Sequence, residues 1–204
     1  MYENEIRKNS SGACYRPELT LYHPNMKGSG SALRLSLYPA SCGEGENVDG
    51  CIMLTLAAQK DIADRNAPNR KFASFDWENK VVVKLDFSDL CKFLQVFRGE
   101  CEAIDEGRGL VHIHEKRTTR ISLKHLLEPR PMYALDLYRN APGSHESDRN
   151  VRFLMTNHEA LGICAAVEQS MGLICFGIPR EYVRRAVVAK DNPVKEAANG
   201  IAAA

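Results

Sequence analysis

The chain has 204 residues, 44% of them hydrophobic and 26% charged, and its 27 Lys and Arg against 26 Asp and Glu leave a formal net charge of +1. That is enough apolar material for a buried core in one ordinary domain, and it excludes a disordered, collagen-like or fibrous chain. The near-neutral total excludes a uniformly basic nucleic-acid binder, so any basic footprint has to be local.

Residues 1–18 are polar and aperiodic and are expected to form a flexible N-terminal extension. They open on Met1, Tyr2, Glu3, Asn4 and Glu5, with acids where a secretory or organellar leader carries Arg or Lys, which points to a cytoplasmic address. Residues 180–204 end in Ala-Ala-Asn-Gly-Ile-Ala-Ala-Ala and read as a C-terminal tail, leaving 19–179 as the folded domain. The seven cysteines, at 14, 42, 51, 91, 101, 164 and 175, include no Cys-x-x-Cys pair and read as reduced thiols. The longest unbroken apolar run in a candidate helix, 160–167, is far short of the roughly 20 residues of a membrane span, so no segment is expected to cross a bilayer.

Within the domain, Leu33, Leu35 and Leu37 alternate with Arg34, Ser36 and Tyr38 at the period of a strand. Residues 51–58 form a second apolar strand, which ends in a polar loop through Asp61, Asp64, Asn66, Pro68 and Asn69. Residues 72–77 and 80–87 read as two strands about a tight turn at Glu78 and Asn79. The period then changes. Leu90, Phe93, Leu94 and Phe97 stand at i, i+3, i+4 and i+7 and predict a helix over 88–98, with Asp86 or Ser88 as N-cap and Gly99 as the stop.

The same order recurs. Residues 110–116, 121–127, 133–139 and 151–155 read as strands, and Thr156 with Glu159 forms a capping box that opens a helix through Leu161, Cys164, Ala165, Met171, Ile174 and Cys175 to Gly177. Four strands and a helix, twice over, predict an α+β fold of two antiparallel four-stranded sheets, each followed by a helix. Ala160, Ile163, Val167 and Leu173 beside Leu161, Cys164 and Met171 exceed one apolar stripe, so the second helix is expected to bury a further face against other copies.

Known catalytic signatures do not occur: there is no phosphate-binding Gly-x-x-x-x-Gly-Lys-Ser/Thr loop, no Gly-x-Gly-x-x-Gly, no His-Glu-x-x-His and no Gly-x-Ser-x-Gly elbow. We therefore expect no enzyme and no cofactor. His112, His114 and His125 on neighbouring strands raise the question of a metal, but imidazoles in such places more often cover a half-solvated sheet face, and no metal is expected.

Charge distribution says more than the total. Over residues 110–140 six bases (Lys116, Arg117, Arg120, Lys124, Arg130, Arg139) face three acids, whereas over 86–109 six acids face three bases. Strand surfaces along the chain carry the positive charge together with the aromatic residues Tyr38, Trp77, Tyr133 and Tyr138. Cations that track phosphates, interleaved with rings that stack bases at roughly 1–3 kcal/mol each, are what a single-stranded nucleic-acid platform requires. The same spacing describes a solvated sheet face above core aromatics, and spacing alone favours that second description. Trp77, the sole tryptophan, is accordingly either a sheet anchor or a stacking surface, and we expect an anchor whose rim touches ligand.

The run Tyr22-His23-Pro24-Asn25-Met26-Lys27-Gly28-Ser29-Gly30-Ser31-Ala32-Leu33-Arg34-Leu35 resembles the Lys-Gly-Lys-Ala-Ala-Leu-Ser-Val strand signature of the Whirly family of single-stranded DNA-binding proteins. Phe75-Asp76-Trp77-Glu78-Asn79-Lys80 is similar to that family's Tyr-Asp-Trp-Ser-Arg-Lys segment, and both lie in the family's order within 19–179. The resemblance implies two four-stranded sheets packed crosswise, a homotetramer joined through the helices, and single-stranded DNA bound along sheet edges with little sequence preference. Lys27 falls on the first lysine of the signature, Trp77 on the tryptophan and Lys80 on the basic turn residue, while Ser29-Gly30-Ser31 replaces the second lysine, a departure that bears on assembly beyond a tetramer.

From the residues and the resemblance together, the expected nucleic-acid-binding set is Lys27, Arg34, Tyr38, Trp77, Lys80, Lys84, Lys116, Arg117, Arg120, Lys124, Tyr138 and Arg139. RNA is the alternative ligand. A scaffold or transcription-coactivator-like protein is the alternative of a different class.

Overall fold

Two runs of alternating side chains, one on either side of a loop, start the first sheet. In the computed structural model, which describes residues 16–42, 47–64, 69, 71–115, 117–140 and 148–178, β1 (Glu18–His23) pairs antiparallel with β2 (Ser31–Tyr38), and β2 with the eleven-residue β5 (Cys51–Asp61). The two-residue strands β3 (Ser41–Cys42) and β4 (Asn47–Val48) pair with each other in the connection between β2 and β5. The far edge of β5 has two partners: β6 (Ser74–Phe75) pairs along Gln59 and Asp61, and β7 (Val81–Leu85) along Ile52 to Leu56.

Two expectations change here. Residues 18–23 form a strand, and Leu37 N–H donates to Pro17 O at 3.0 Å, so residues 17 and 18, assigned from sequence to the extension, belong to the sheet edge. Its alternation of Leu19 and Leu21 with Thr20 and Tyr22 is short and hemmed by Pro17 and Pro24, which weakens the period as a signal. Of residues 72–77, read as a full strand, Ser74 and Phe75 pair with β5 and Asp76 N–H donates to Ala58 O at 2.8 Å, after which the Asp76 carboxylate accepts the Asn79 backbone N–H and folds the chain into a turn.

Leu33, Leu37, Ile52, Leu54, Leu56, Val81, Val83 and Leu85 point into the core. Helix α1 (Phe87–Phe97) starts at Asp86, whose carboxylate accepts Asp89 N–H at 2.9 Å, while Asp89 returns the contact. Of the two N-caps allowed by the sequence, the structure uses Asp86. A short 3-10 segment, Ile104–Gly107, leads to the second sheet, a meander of β8 (Leu110–His114), β9 (Arg117–Leu126), β10 (Met132–Asn140) and β11 (Arg149–Thr156). Helix α2 (Asn157–Phe176) follows at once through the Thr156 and Glu159 capping box.

Ile121, Leu123, Leu135, Leu137, Phe153 and Met155 of the second sheet join the first sheet and both helices in one apolar cluster. Burying each such side chain stabilises the fold by about 1.5–3 kcal/mol before chain entropy is counted. The helices lie side by side, with Arg98 Nη2 2.9 Å from Glu168 Oε1. The end of α2 is capped by the first half of the chain: Ala40 N–H donates to Leu173 O at 2.9 Å and Gly50 N–H to Ile174 O at 3.2 Å. These bonds satisfy carbonyls that a helix end leaves without partners.

One face of α2, through Ala160, Ile163, Cys164, Val167 and Ile174, is buried in the core, and the other carries exposed Leu161, Gly162, Ala165, Ala166, Gly172 and Phe176. With 20 residues, α2 is long and apolar enough to cross a bilayer by length and composition. The expectation from unbroken apolar runs is corrected in that respect, since Glu168, Gln169 and Ser170 end the run at 167 without lowering the helix's average below what a span needs by composition.

Candidate nucleic-acid interface

Strand register sets out the face of the first sheet that points away from the core. Tyr22, Ala32 and Ala57 form one row across it, Thr20, Arg34, Thr55 and Val82 the next, and Glu18, Ser36, Met53 and Lys84 the third. Side chains on this face alternate with the core-facing leucines, as the pleat demands. Ala32 and Ala57 are fully buried and provide a floor of small residues. Around it gather three aromatic rings and one cation. Tyr22 lies 5.4 Å from Phe75 in a tilted arrangement and 6.4 Å from Trp77 edge to face, and the Arg34 guanidinium stands 4.4 Å from the centre of the Trp77 ring.

Trp77 is half-buried and lies outside the core cluster. It is a surface side chain backed by the sheet, which corrects the expectation of a core anchor. Its turn is fixed from two sides. Asp76 accepts from Asn79 N at 3.1 Å and from Asn79 Nδ2 at 2.8 Å, and Arg149 of the second sheet donates to Asn79 Oδ1 at 2.9 Å. The Asn79 side-chain and backbone donors hold the Asp76 carboxyl below its ordinary value.

Lys27 is exposed on a loop with its own internal bonding. Asn25 Oδ1 accepts the N–H groups of Lys27 (3.0 Å) and Ser29 (3.1 Å). The buried Gln59 amide uses both ends: Oε1 accepts from Asn25 N (2.8 Å) and Gly30 N (3.1 Å), and Nε2 donates to the carbonyls of Asn25 and Asp61, both at 3.0 Å. A Cβ on Gly30 would run into His23 O and Gln59 Oε1, which is why the Ser29-Gly30-Ser31 stretch carries glycine at its centre.

His23, at the start of that loop, fastens the first sheet to the second half of the chain. Its Nδ1 lies 2.7 Å from Leu154 O and its Nε2 2.6 Å from Glu159 Oε1, and the ring stacks on Phe153 at 4.4 Å. Burial opposes the charge on Glu159, but donation from the Thr156 backbone, from His23 and from the Thr156 hydroxyl outweighs it and holds the carboxyl below its ordinary value.

The expected residues fall into groups on separate sheets. Arg34, Trp77 and Lys84 share the outer face of the first sheet, with Lys27 on the loop beside Tyr22 and Lys80 directly after the Trp77 turn. Tyr38 stands farther along β2, where the Arg16 guanidinium lies 4.8 Å from its ring centre. On the outer face of the second sheet Arg120 and Tyr138 pair directly, and Lys124 lies opposite Ala134. Between those rows Arg152 binds Asp136 through Nε at 2.6 Å and Nη2 at 3.3 Å, so carboxylate and cation cancel in the middle of that face.

Arg117 and Arg139 lie on the other side of the second sheet, and Arg139 Nη2 donates to Val82 O at 2.8 Å, bridging the two sheets. Lys116 lies outside the described residues. Register parts His125 from the other two histidines: His112 and His114 share one face of β8, His112 pairs with Thr119 and contacts Asp89 at 3.0 Å, while His125 stands six residues farther along β9, roughly 20 Å away at strand rise, and stacks on Tyr133.

Tyr22, Phe75, Asn25, Gln59 and Arg149 did not figure among the expected residues. Tyr22 lies inside the run that resembles the Whirly signature, and Phe75 stands two residues before Trp77, so the alternation of that strand was a signal for it. Nothing local marks Gln59 or Arg149, which act across long sequence separations.

No family model matches the chain, and no curated protein matches it in sequence. Its shape has counterparts among solved structures. It is similar to WHY1 from Arabidopsis thaliana, with a TM-score of 0.60 and 14% identity over 87% of this chain and 94% of that one. It is similar to the plant transcriptional regulator PBF-2, at 0.59 and 16% over 88% of this chain and 89% of that one. WHY3 from Arabidopsis thaliana matches at 0.57 and 15%, over 86% and 98%. The fold is Whirly-like. Nearly the whole of each solved chain is covered, so both sheets and both helices of the Whirly-like fold take part in the match.

Proposed function

We propose that this protein is a non-catalytic single-stranded DNA-binding protein that holds its ligand against the outer face of the first sheet with little sequence preference. The observation that carries this reading is the cluster of Tyr22, Phe75, Trp77 and Arg34 at the surface, flanked by Lys27 and Lys84. Rings and a planar cation offer faces to unpaired bases of any identity, and the lysines meet phosphates, which carry no base information. Duplex DNA has its base faces stacked away and offers this surface only its backbone. The platform has no feature that demands or forbids a 2′-hydroxyl, so RNA is a second ligand of the same chemistry. The exposed apolar face of α2 supports self-association, in a homotetramer by the family resemblance, with the strand sites on the sheets left open.

A titration of labelled single-stranded DNA, duplex DNA and RNA of one sequence at two salt concentrations tests the reading. Tight single-strand binding that weakens steeply with salt, with duplex far weaker, is the expected result. Absence of a shift with every nucleic acid at low salt leaves the scaffold reading in its place.

A further inference from the structure

We propose that Arg34 serves as a stacking layer of the strand-binding platform, meeting a nucleobase with its guanidinium plane, and that it is not a phosphate contact. The inference rests on the strand-binding reading above and assigns one residue a chemistry that its charge alone does not suggest. The guanidinium carbon lies 4.4 Å from the centre of the Trp77 ring, so the indole has one face occupied in the free protein. The ion pair that Arg34 makes with Glu18 is a long one. Glu18 Oε2 is 3.9 Å from Arg34 Nε, beyond hydrogen-bond reach, and the same carboxylate accepts Ser36 Oγ at 2.8 Å. Arg34 Nε itself is buried and has no hydrogen-bond partner among the described residues. The ring at 4.4 Å, with the long Glu18 pair beside it, is what the guanidinium packs against.

A third of the Arg34 side chain stays open to solvent, and Tyr22 beside it is 52% exposed. A base laid on this spot meets the guanidinium plane and the tyrosine, with Trp77 as the layer beneath. Arginine suits the role because its cation is planar, delocalised and weakly hydrated, and stacks on rings from either side. A lysine ammonium has the charge without the plane. A glutamine amide has a plane without the charge.

That contrast gives the test: wild type, Arg34→Lys, Arg34→Gln and Arg34→Ala, titrated with a labelled, unstructured thymidine oligonucleotide over a range of salt, with Lys27→Ala as the phosphate control and thermal melting to confirm folding. The expected result is that Arg34→Lys loses as much affinity as Arg34→Ala, on the order of 5- to 100-fold, that Arg34→Gln binds better than Arg34→Lys, and that none of the three changes the slope of log K against log salt. Lys27→Ala should lower that slope by about 0.7, the value for one phosphate on a single strand. Wild-type affinity in Arg34→Lys, together with a slope lowered by about 0.7 in Arg34→Gln and Arg34→Ala, would make Arg34 a phosphate contact and overturn the proposal. Because Arg34→Gln and Arg34→Lys both keep a long side chain on the sheet, misfolding of Arg34→Ala alone leaves the comparison intact. Failure of the wild-type protein to bind any strand at low salt refutes the parent reading and this proposal with it, an outcome distinct from a changed order among the variants.

Discussion

The guanidinium of Arg34, from the middle of β2, lies 4.4 Å from the ring centre of Trp77, which stands in the turn after β6. The two are brought together by β5, which pairs with β2 on one edge and with β6 and β7 on the other. Because Trp77 is a surface ring, Trp77→Ala should cost less than the roughly 3–5 kcal/mol of a core tryptophan while reducing single-strand affinity by about 1–3 kcal/mol. Thermal melting beside an anisotropy titration separates the two, and a full core-sized loss of stability would return Trp77 to the role of anchor.

Lys27 and Lys84 flank the cluster, with no aromatic partner of their own among the described residues. Replacing either with Ala should weaken binding of unrelated single strands by similar factors and make binding less salt-dependent. Affinity that changes for one sequence and not for another would show base readout at these positions.

Gly50 sits where the β2–β5 connection crosses the end of α2. A Cβ there would lie 2.6 Å from Ala40 N and 2.7 Å from Ile174 Cα, contacts with backbone that cannot swing aside. Gly50→Ala should destabilise the fold by about 1–3 kcal/mol, the range of overpacked sites, and should loosen the last turn of α2. Denaturant unfolding with hydrogen exchange at 173–177 reads both effects.

Acid should weaken the junction of β1, β11 and α2. The Glu159 carboxyl is held below its ordinary value, so its contribution to stability is present above the unfolded-state value and is lost as pH falls through the lower, folded one. Stability measured from neutral pH down through the carboxylate range should decline more steeply for wild type than for Glu159→Gln. Thr156→Ala, which removes the reciprocal cap, should cost about 0.5–2 kcal/mol at neutral pH. Parallel acid limbs in wild type and Glu159→Gln would exclude Glu159 as a source of the pH dependence.

Leu161 and Phe176 are 72% and 88% exposed on the face of α2 that the core does not use. Light scattering should find the protein associated at micromolar concentration, and Leu161→Glu with Phe176→Glu should shift it toward the monomer with little change in the melting of the monomer itself. A wild-type monomer would leave this face without the proposed partner.

Local chemistry was enough for the architecture. Period-two alternation at 31–38, the i, i+3, i+4, i+7 stripe of Leu90, Phe93, Leu94 and Phe97, and the Thr156 and Glu159 capping box each state their element within a few residues, and the duplicated order of strands and helix follows from reading them in turn. The short β1 and the divided edge of β5 escaped that reading, because a six-residue strand between prolines and a two-residue bridge carry too few periods to rise above chance. The site was legible only as residue types. Arg34, Trp77, Lys27 and Lys84 stand out in the sequence, but which of them share a face depends on the register of β1, β2, β5 and β7, and register is set by how core side chains pack across strands. The tertiary structure alone turned Arg139 toward Val82 O, set Asp136 against Arg152 on the second sheet, and placed Tyr22 and Phe75 beside Trp77. Periodicity reports which side of its own strand a residue takes. Which residues of distant strands it then meets is decided by pairing and packing, which no local window contains.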